Sequence, residues 1–183
     1  MKPIVSNPKG YHIHSPSAFH LVTGVIFNQQ PPPGMSLEKA LEMKKKFPFG
    51  MVVIRLAAHF RPQRVVCIGS GCQDLDMALE PSGIALQVFQ AGDEGFFLSN
   101  TNEFVIWNDA PGREMLIHNE INDCVWFLPC LGRKTMREFF TLLKKNGKVS
   151  QSFELKHDGF VIFNSKLQKE DYIISNRGFM IDL

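Results

Sequence analysis

The stretch Arg64-Val65-Val66-Cys67-Ile68-Gly69-Ser70-Gly71 decides how this chain is read. A short apolar run ending in glycine is a buried strand, and the glycines let the backbone turn where a side chain would obstruct it. Just upstream, Met51 to Phe60 reads as a mostly apolar helix that Arg61-Pro62 ends. Downstream, Asp74 can cap a short helix from Leu75 to Glu80. The same alternation continues, with strands expected at Ile84 to Phe89, Glu103 to Trp107 and Asp123 to Leu128. Lys134 to Lys145 then spaces Met136, Phe139, Phe140 and Leu143 along one helix face, and Asn146-Gly147 stops it. Lys148 to Leu155 and Phe160 to Asn164, joined through His157-Asp158-Gly159, predict an antiparallel hairpin at one edge of the sheet. Tyr172 to Ile174 would add a last edge strand.

Toward the amino terminus, Ser17 to Phe27 places Phe19, Val22 and Ile26 at three- and four-residue steps, the spacing of one helix face. The prolines of Gln29-Gln30-Pro31-Pro32-Pro33-Gly34 prevent that helix from continuing, and Ser36 can cap a second helix from Leu37 to Lys46. Residues 1–183 therefore read as one domain, an N-terminal helical extension over 1–34 followed by a Rossmann-like core over 35–183. The fold class expected is α/β, a mostly parallel sheet with a C-terminal antiparallel hairpin and N-terminal helices. Sheets of this kind bind ligands at the carboxyl ends of their strands.

Composition narrows the function. The chain has 20 Lys and Arg against 18 Asp and Glu, a balance that speaks against general binding to nucleic acid or an anionic membrane surface. No apolar run is long enough for a membrane span, and residues 1–10 lack the apolar stretch of a signal peptide. A cytoplasmic protein with a small-molecule or protein partner is the expectation. Cys67, Cys72, Cys124 and Cys130 lack metal-knuckle spacing and read as reduced, mostly buried thiols. No Gly-x-Ser-x-Gly elbow, Walker lysine or His-Glu-x-x-His motif occurs, which removes the commonest hydrolase, NTPase and zinc-protease readings. The 16 phenylalanines against two tyrosines point to core packing rather than base stacking.

The glycine turn carries the most specific chemistry. Gly69-Ser70-Gly71 lets backbone approach a ligand closely, while the start of the next helix offers unpaired N–H groups. The pattern is Gly-x-Gly-x-x-Asp, because Asp74 stands where a dinucleotide fingerprint has its third glycine, and an acid there disfavours a pyrophosphate. S-adenosylmethionine is a nucleoside ligand without phosphates, and its cationic amino-acid end tolerates Asp74 or Asp76. The same glycines would equally serve an ordinary strand–helix turn.

Beyond this motif, Gly10-Tyr11-His12-Ile13-His14-Ser15-Pro16, with Phe19 and Leu21, resembles the N-terminal Gly-Ile-His-Ser-Pro-Phe stretch of class I methyltransferase-like proteins common in Bacteroidetes. Further blocks agree in order. Arg55-Leu56 with Phe60-Arg61-Pro62 through Gly69 is similar to that family's helix and first strand, and Cys124 to Leu128 with Thr135 to Leu143 to its fourth strand and following helix. Phe153-Glu154-Leu155, Gly159 to Phe163 and Gln168 to Tyr172 are similar to its terminal hairpin and tail. The resemblance implies an S-adenosylmethionine site at Gly69, Ser70, Gly71, Gln90 and Asp109, with Asp109 toward the adenine amino group.

The chain departs from that pattern in three places. The second strand ends Val88-Phe89-Gln90 where an acid usually holds the ribose, and Asp93 and Glu94 come a few residues late. Pro129-Cys130 replaces the acid that helps hold magnesium in metal-dependent relatives, so no metal is expected. Between Asn146 and Ser152 the chain also has no room for the extra strand–helix unit of longer members. Two functions follow from this, a metal-independent methyltransferase of unassigned acceptor, or a degenerate relative that keeps the sheet as a ligand- or protein-binding module. An NAD-dependent enzyme is weaker, lacking the third glycine and the ribose acid. His12, His14 and His20 have no persuasive third metal ligand, and Ser15-Pro16 with His14 reads better as fixing the start of the first helix or lining a substrate pocket.

Overall fold

A computed structural model of the chain describes residues 4–5, 13–28, 30–32, 34–46, 49–70, 75, 79, 85–89, 102–109 and 121–175. Over these residues the strands are β1 (Ile4–Val5), β2 (Arg64–Ile68), β3 (Leu86–Phe89), β4 (Glu103–Trp107), β5 (Cys124–Leu128), β6 (Gln151–Glu154), β7 (Gly159–Phe163) and β8 (Glu170–Ile174). The helices are α1 (Pro16–His20), which runs on as a π-helical turn over Leu21–Ile26, then α2 (Leu37–Lys46), α3 (Gly50–Phe60) and α4 (Lys134–Lys145). The expected helix Leu75 to Glu80 lies almost wholly outside the described residues.

The strands form one 8-stranded sheet in the order β1-β8-β6-β7-β5-β4-β2-β3. β3, β2, β4 and β5 are parallel neighbours, and β7 alone runs against both of its neighbours, β5 and β6. The sheet is therefore mixed, with a parallel core. The hairpin of β6 and β7 forms as the sequence predicts, but it is not at an edge. β7 inserts beside β5, and β6 is covered by β8, which is in turn covered by β1. The edge position was expected because hairpin strands pair locally, whereas here the outer rim of β6 offers the backbone N–H and C=O groups on which β8, and then β1, pair. Nothing in the prolines and lysines near the amino terminus signals a strand, yet Ile4–Val5 pairs with Ile173 and Ile174. The segment read as a helical extension thus closes one side of the sheet.

Side-chain alternation distributes the core over both faces. Val65, Cys67, Phe104, Ile106, Val125, Phe127, Phe153 and Phe160 face α1, the π turn, α2 and α3. Val66, Ile68, Val105, Trp107, Trp126, Leu128, Val161 and Phe163 face α4 through Met136, Phe139, Phe140 and Leu143. Strands covered on both sides need apolar residues at every position, which is why β4 and β5 read as continuous runs.

Local chemistry sets the helix ends. Ser15 caps α1 by accepting from the Ala18 N–H, and Ser36 caps α2 by accepting from the Lys39 N–H at 3.2 Å. Arg61 ends α3 in the left-handed region at φ 47°, and its N–H donates to the Ala57 carbonyl. α4 stops at Asn146, which leaves helical geometry as the sequence predicts.

Candidate functional site

The parallel strands β2 and β4 lie side by side in register, Ile68 opposite Trp107, so the residues that leave their carboxyl ends meet. Gly69 leaves β2 at φ +102°, a conformation open to glycine and strained for other residues. On the neighbouring strand, Asn108 and Asp109 both fold back onto the Ile68 carbonyl, with N–H donors at 2.8 and 3.4 Å. This places the Asp109 carboxylate directly over the turn. Its Oδ2 accepts from the Ser70 N–H at 3.4 Å, and a Cβ added to Gly69 would lie 2.5 Å from that same oxygen. The Asn108 side-chain amide donates to the Ser70 carbonyl and closes the clasp from the other side.

The structure thus brings together Gly69, Ser70 and Asp109 of the expected site. Gly71 and Gln90 lie outside the described residues, as do Asp74, Asp76, Asp93, Glu94, His12 and Cys72. Asn108 was not singled out from sequence, although an Asn-Asp pair directly after an apolar strand is the signal that would have marked it.

His14 is exposed and its neighbour Ser15 is tied to the other end of the sheet. The Gln151 side-chain amide donates to Ser15 Oγ and to Glu170, and the Tyr172 hydroxyl donates to the same Glu170 carboxylate at 2.6 Å. Gln151 opens β6 and pairs with Ile162, which pairs with Val125 near the start of β5. The network therefore sits at the amino ends of the parallel strands, whereas Gly69 and Asp109 sit at their carboxyl ends. Ser15-Pro16 fixes the start of the first helix, as expected from sequence. His14 is not brought to Gly69, Ser70 and Asp109.

At the carboxyl end of β5, Cys130 adopts φ 60°, and its N–H donates to Asp158 Oδ1 at 3.0 Å. The adjacent Leu131 N–H donates to the His157 carbonyl at 2.6 Å, so the loop after β5 and the β6–β7 turn form one surface. Burial pushes the Asp158 carboxyl above its ordinary range, against the lowering influence of the Cys130 N–H and of His157. Beside this surface Glu154 is partly buried, which alone would raise its pKa, but Arg137 at 2.9 Å and Lys144 at 3.3 Å hold it below the ordinary value.

The thiols differ from the sequence expectation in one respect. Cys124 and Cys130 are free, while Cys67 is disulfide-bonded. Burial pushes the Cys124 thiol up to about 11, so it is a packing residue rather than a nucleophile. Among the described residues no group of three or more His, Cys, Asp or Glu side chains is placed to hold a metal ion. Among them, too, no helix is long and apolar enough to cross a membrane.

The fold and the clasp define an α/β protein whose candidate ligand site lies at the carboxyl ends of two adjacent parallel strands. No family model, curated protein or solved structure matches the chain.

Proposed function

We propose that the chain is a metal-independent, S-adenosylmethionine-dependent methyltransferase-like protein of Rossmann-like class I fold, with its ligand site on the clasp of Gly69, Ser70 and Asp109. The observation that carries this reading is the Asp109 carboxylate set over the glycine turn. In a dinucleotide site the turn's N–H groups are left for a phosphate. Here the Ser70 N–H already meets a carboxylate, so a phosphate would be both displaced and repelled. A ligand that brings hydroxyl, amine or sulfonium groups gains from the same charge. The parallel core and the reversed strand β7 support the resemblance in the terminal hairpin.

Gly69 and Ser70 would hold such a ligand through close backbone approach, and Asp109 through its carboxylate, while Asn108 keeps the turn in place. The bound sulfonium supplies an activated methyl group. Transfer from it needs in-line positioning more than a general base, so the residues' task is orientation and exclusion of water. Pro129-Cys130, whose backbone is engaged by Asp158, offers no oxygen-rich set for a hard cation at the end of β5.

Titration calorimetry with S-adenosylhomocysteine and with NAD tests the assignment. Binding of the first and exclusion of the second is the expected result. Asp109→Asn should weaken S-adenosylhomocysteine binding by about 1.5–3 kcal/mol, the range for a hydrogen bond to a charged group. A wild-type protein that ignores S-adenosylhomocysteine at millimolar concentration would sink the assignment and leave the alternative, a binding module built on the same sheet.

A further inference from the structure

Among the described residues, the two halves of the sheet's carboxyl end carry opposite charge. Over β2 and β4 stands the Asp109 carboxylate. Over β5 and β7 the exposed charged side chains are cationic, with Arg133 and Lys134 following the β5 loop and Lys156 beside His157 in the β6–β7 turn. The acids of this second half are engaged. Asp158 turns inward to the Cys130 N–H, and Glu154 is held by Arg137 and Lys144. Glu138 reaches Lys134 only at 4.0 Å, with Lys134 90% exposed, a geometry in which an ion pair contributes little. Among the described residues neither Arg133 nor Lys156 makes an ion pair. The bonds from Leu131 to His157 and from Cys130 to Asp158 fasten the two loops to each other, so these cations belong to one surface.

We infer that this surface is a subsite for the oxyanion of a second small molecule. Naming that molecule as the methyl acceptor rests on the preceding reading; the oxyanion subsite itself does not. The strand that leads to Arg133 and Lys134, β5, is the direct neighbour of β4, which leads to Asp109, so the two sites lie side by side along the carboxyl end of the sheet, where two small molecules can bring their reacting ends together. Opposed charges then orient both partners. The cationic donor is drawn to Asp109, and an acceptor bearing a carboxylate or phosphate is drawn to Arg133, Lys134 and Lys156. A neutral acceptor would gain nothing from this surface.

The test uses phenyl phosphate, with phenol as the uncharged control, titrated into the isotope-labelled full chain and followed by amide chemical shifts. Shifts centred on Leu131, Arg133, Lys134 and His157, saturable with phenyl phosphate and absent with phenol, are expected. The double change Arg133→Gln with Lys156→Gln should weaken phenyl phosphate binding about fivefold or more and leave S-adenosylhomocysteine binding as it was. Shifts spread equally over Lys45 and other surface lysines, or an affinity unchanged in the double variant, would overturn the subsite. If S-adenosylhomocysteine binds and phenyl phosphate does not, the subsite is wrong and the function stands. Localised phenyl phosphate shifts without S-adenosylhomocysteine binding would keep the subsite and remove the methyltransferase.

Discussion

Gly69 is where one atom matters most. Its φ of +102° already favours glycine, and a Cβ would meet Asp109 Oδ2 at 2.5 Å and its backbone nitrogen at 3.0 Å. Gly69→Ala should therefore push the Asp109 side chain off the turn as well as strain the backbone, at a cost of about 1–3 kcal/mol in urea unfolding. S-adenosylhomocysteine binding should fall in parallel. Retained binding in a folded Gly69→Ala protein would place the ligand elsewhere. At the opposite end of the molecule, Gln151 is 1% exposed and divides its amide between Ser15 and Glu170. Ser15→Ala removes both a helix cap and one of that amide's two partners, and should cost about 1 kcal/mol or somewhat more without affecting ligand binding. An equal loss of ligand affinity would show that the two ends of the sheet are coupled.

The hairpin is the element whose placement organises the rest. β7 sits between β5 and β6, and Gly159 at its start lies beneath the β5 loop, where an added Cβ would be 2.9 Å from Leu131 Cδ1 and 3.0 Å from the Phe140 ring. Gly159→Ala should overpack this junction and destabilise the fold by about 1–3 kcal/mol, read as a lower urea midpoint at unchanged slope. Because Leu131 also anchors the His157 carbonyl, the same change should alter the amide shifts of the β6–β7 turn. An unperturbed turn would mean that α4 yields instead. α4 has a simpler logic. Its buried face of Met136, Phe139, Phe140 and Leu143 follows directly from their spacing in the sequence.

Across the whole molecule, pH should act through the junction of the N-terminal helix with α3. The His20 and His59 rings lie 5.6 Å apart, joining the end of α1 to the end of α3. Burial, and then the charge of His20, lowers the His59 pKa below its ordinary 6.5. The unfolded chain therefore takes up this proton more readily than the folded one, so the contribution of His59 to stability is present above pH 6.5 and is lost as the pH falls toward its folded pKa. His59→Gln should flatten the stability profile as the pH falls below 6.5. A wild-type profile already flat there would show that His59 titrates as in the unfolded chain. The sequence by itself determined the elements with strong periodicity or chemical punctuation. These are the strand Arg64–Ile68 with its glycine turn, the helix from Lys134 to Lys145, the hairpin and the caps at Ser15 and Ser36. Only the tertiary structure decided that β7 enters the sheet's interior, that Ile4–Val5 closes one side, and that Asp109 lies over Gly69 while His14 lies at the far end. Periodicity and capping are encoded within a few residues and survive in the chain read alone. Strand order and the meeting of residues 39 positions apart depend on which rims bury most apolar surface and leave fewest backbone groups unpaired, a competition settled only when the whole sheet assembles.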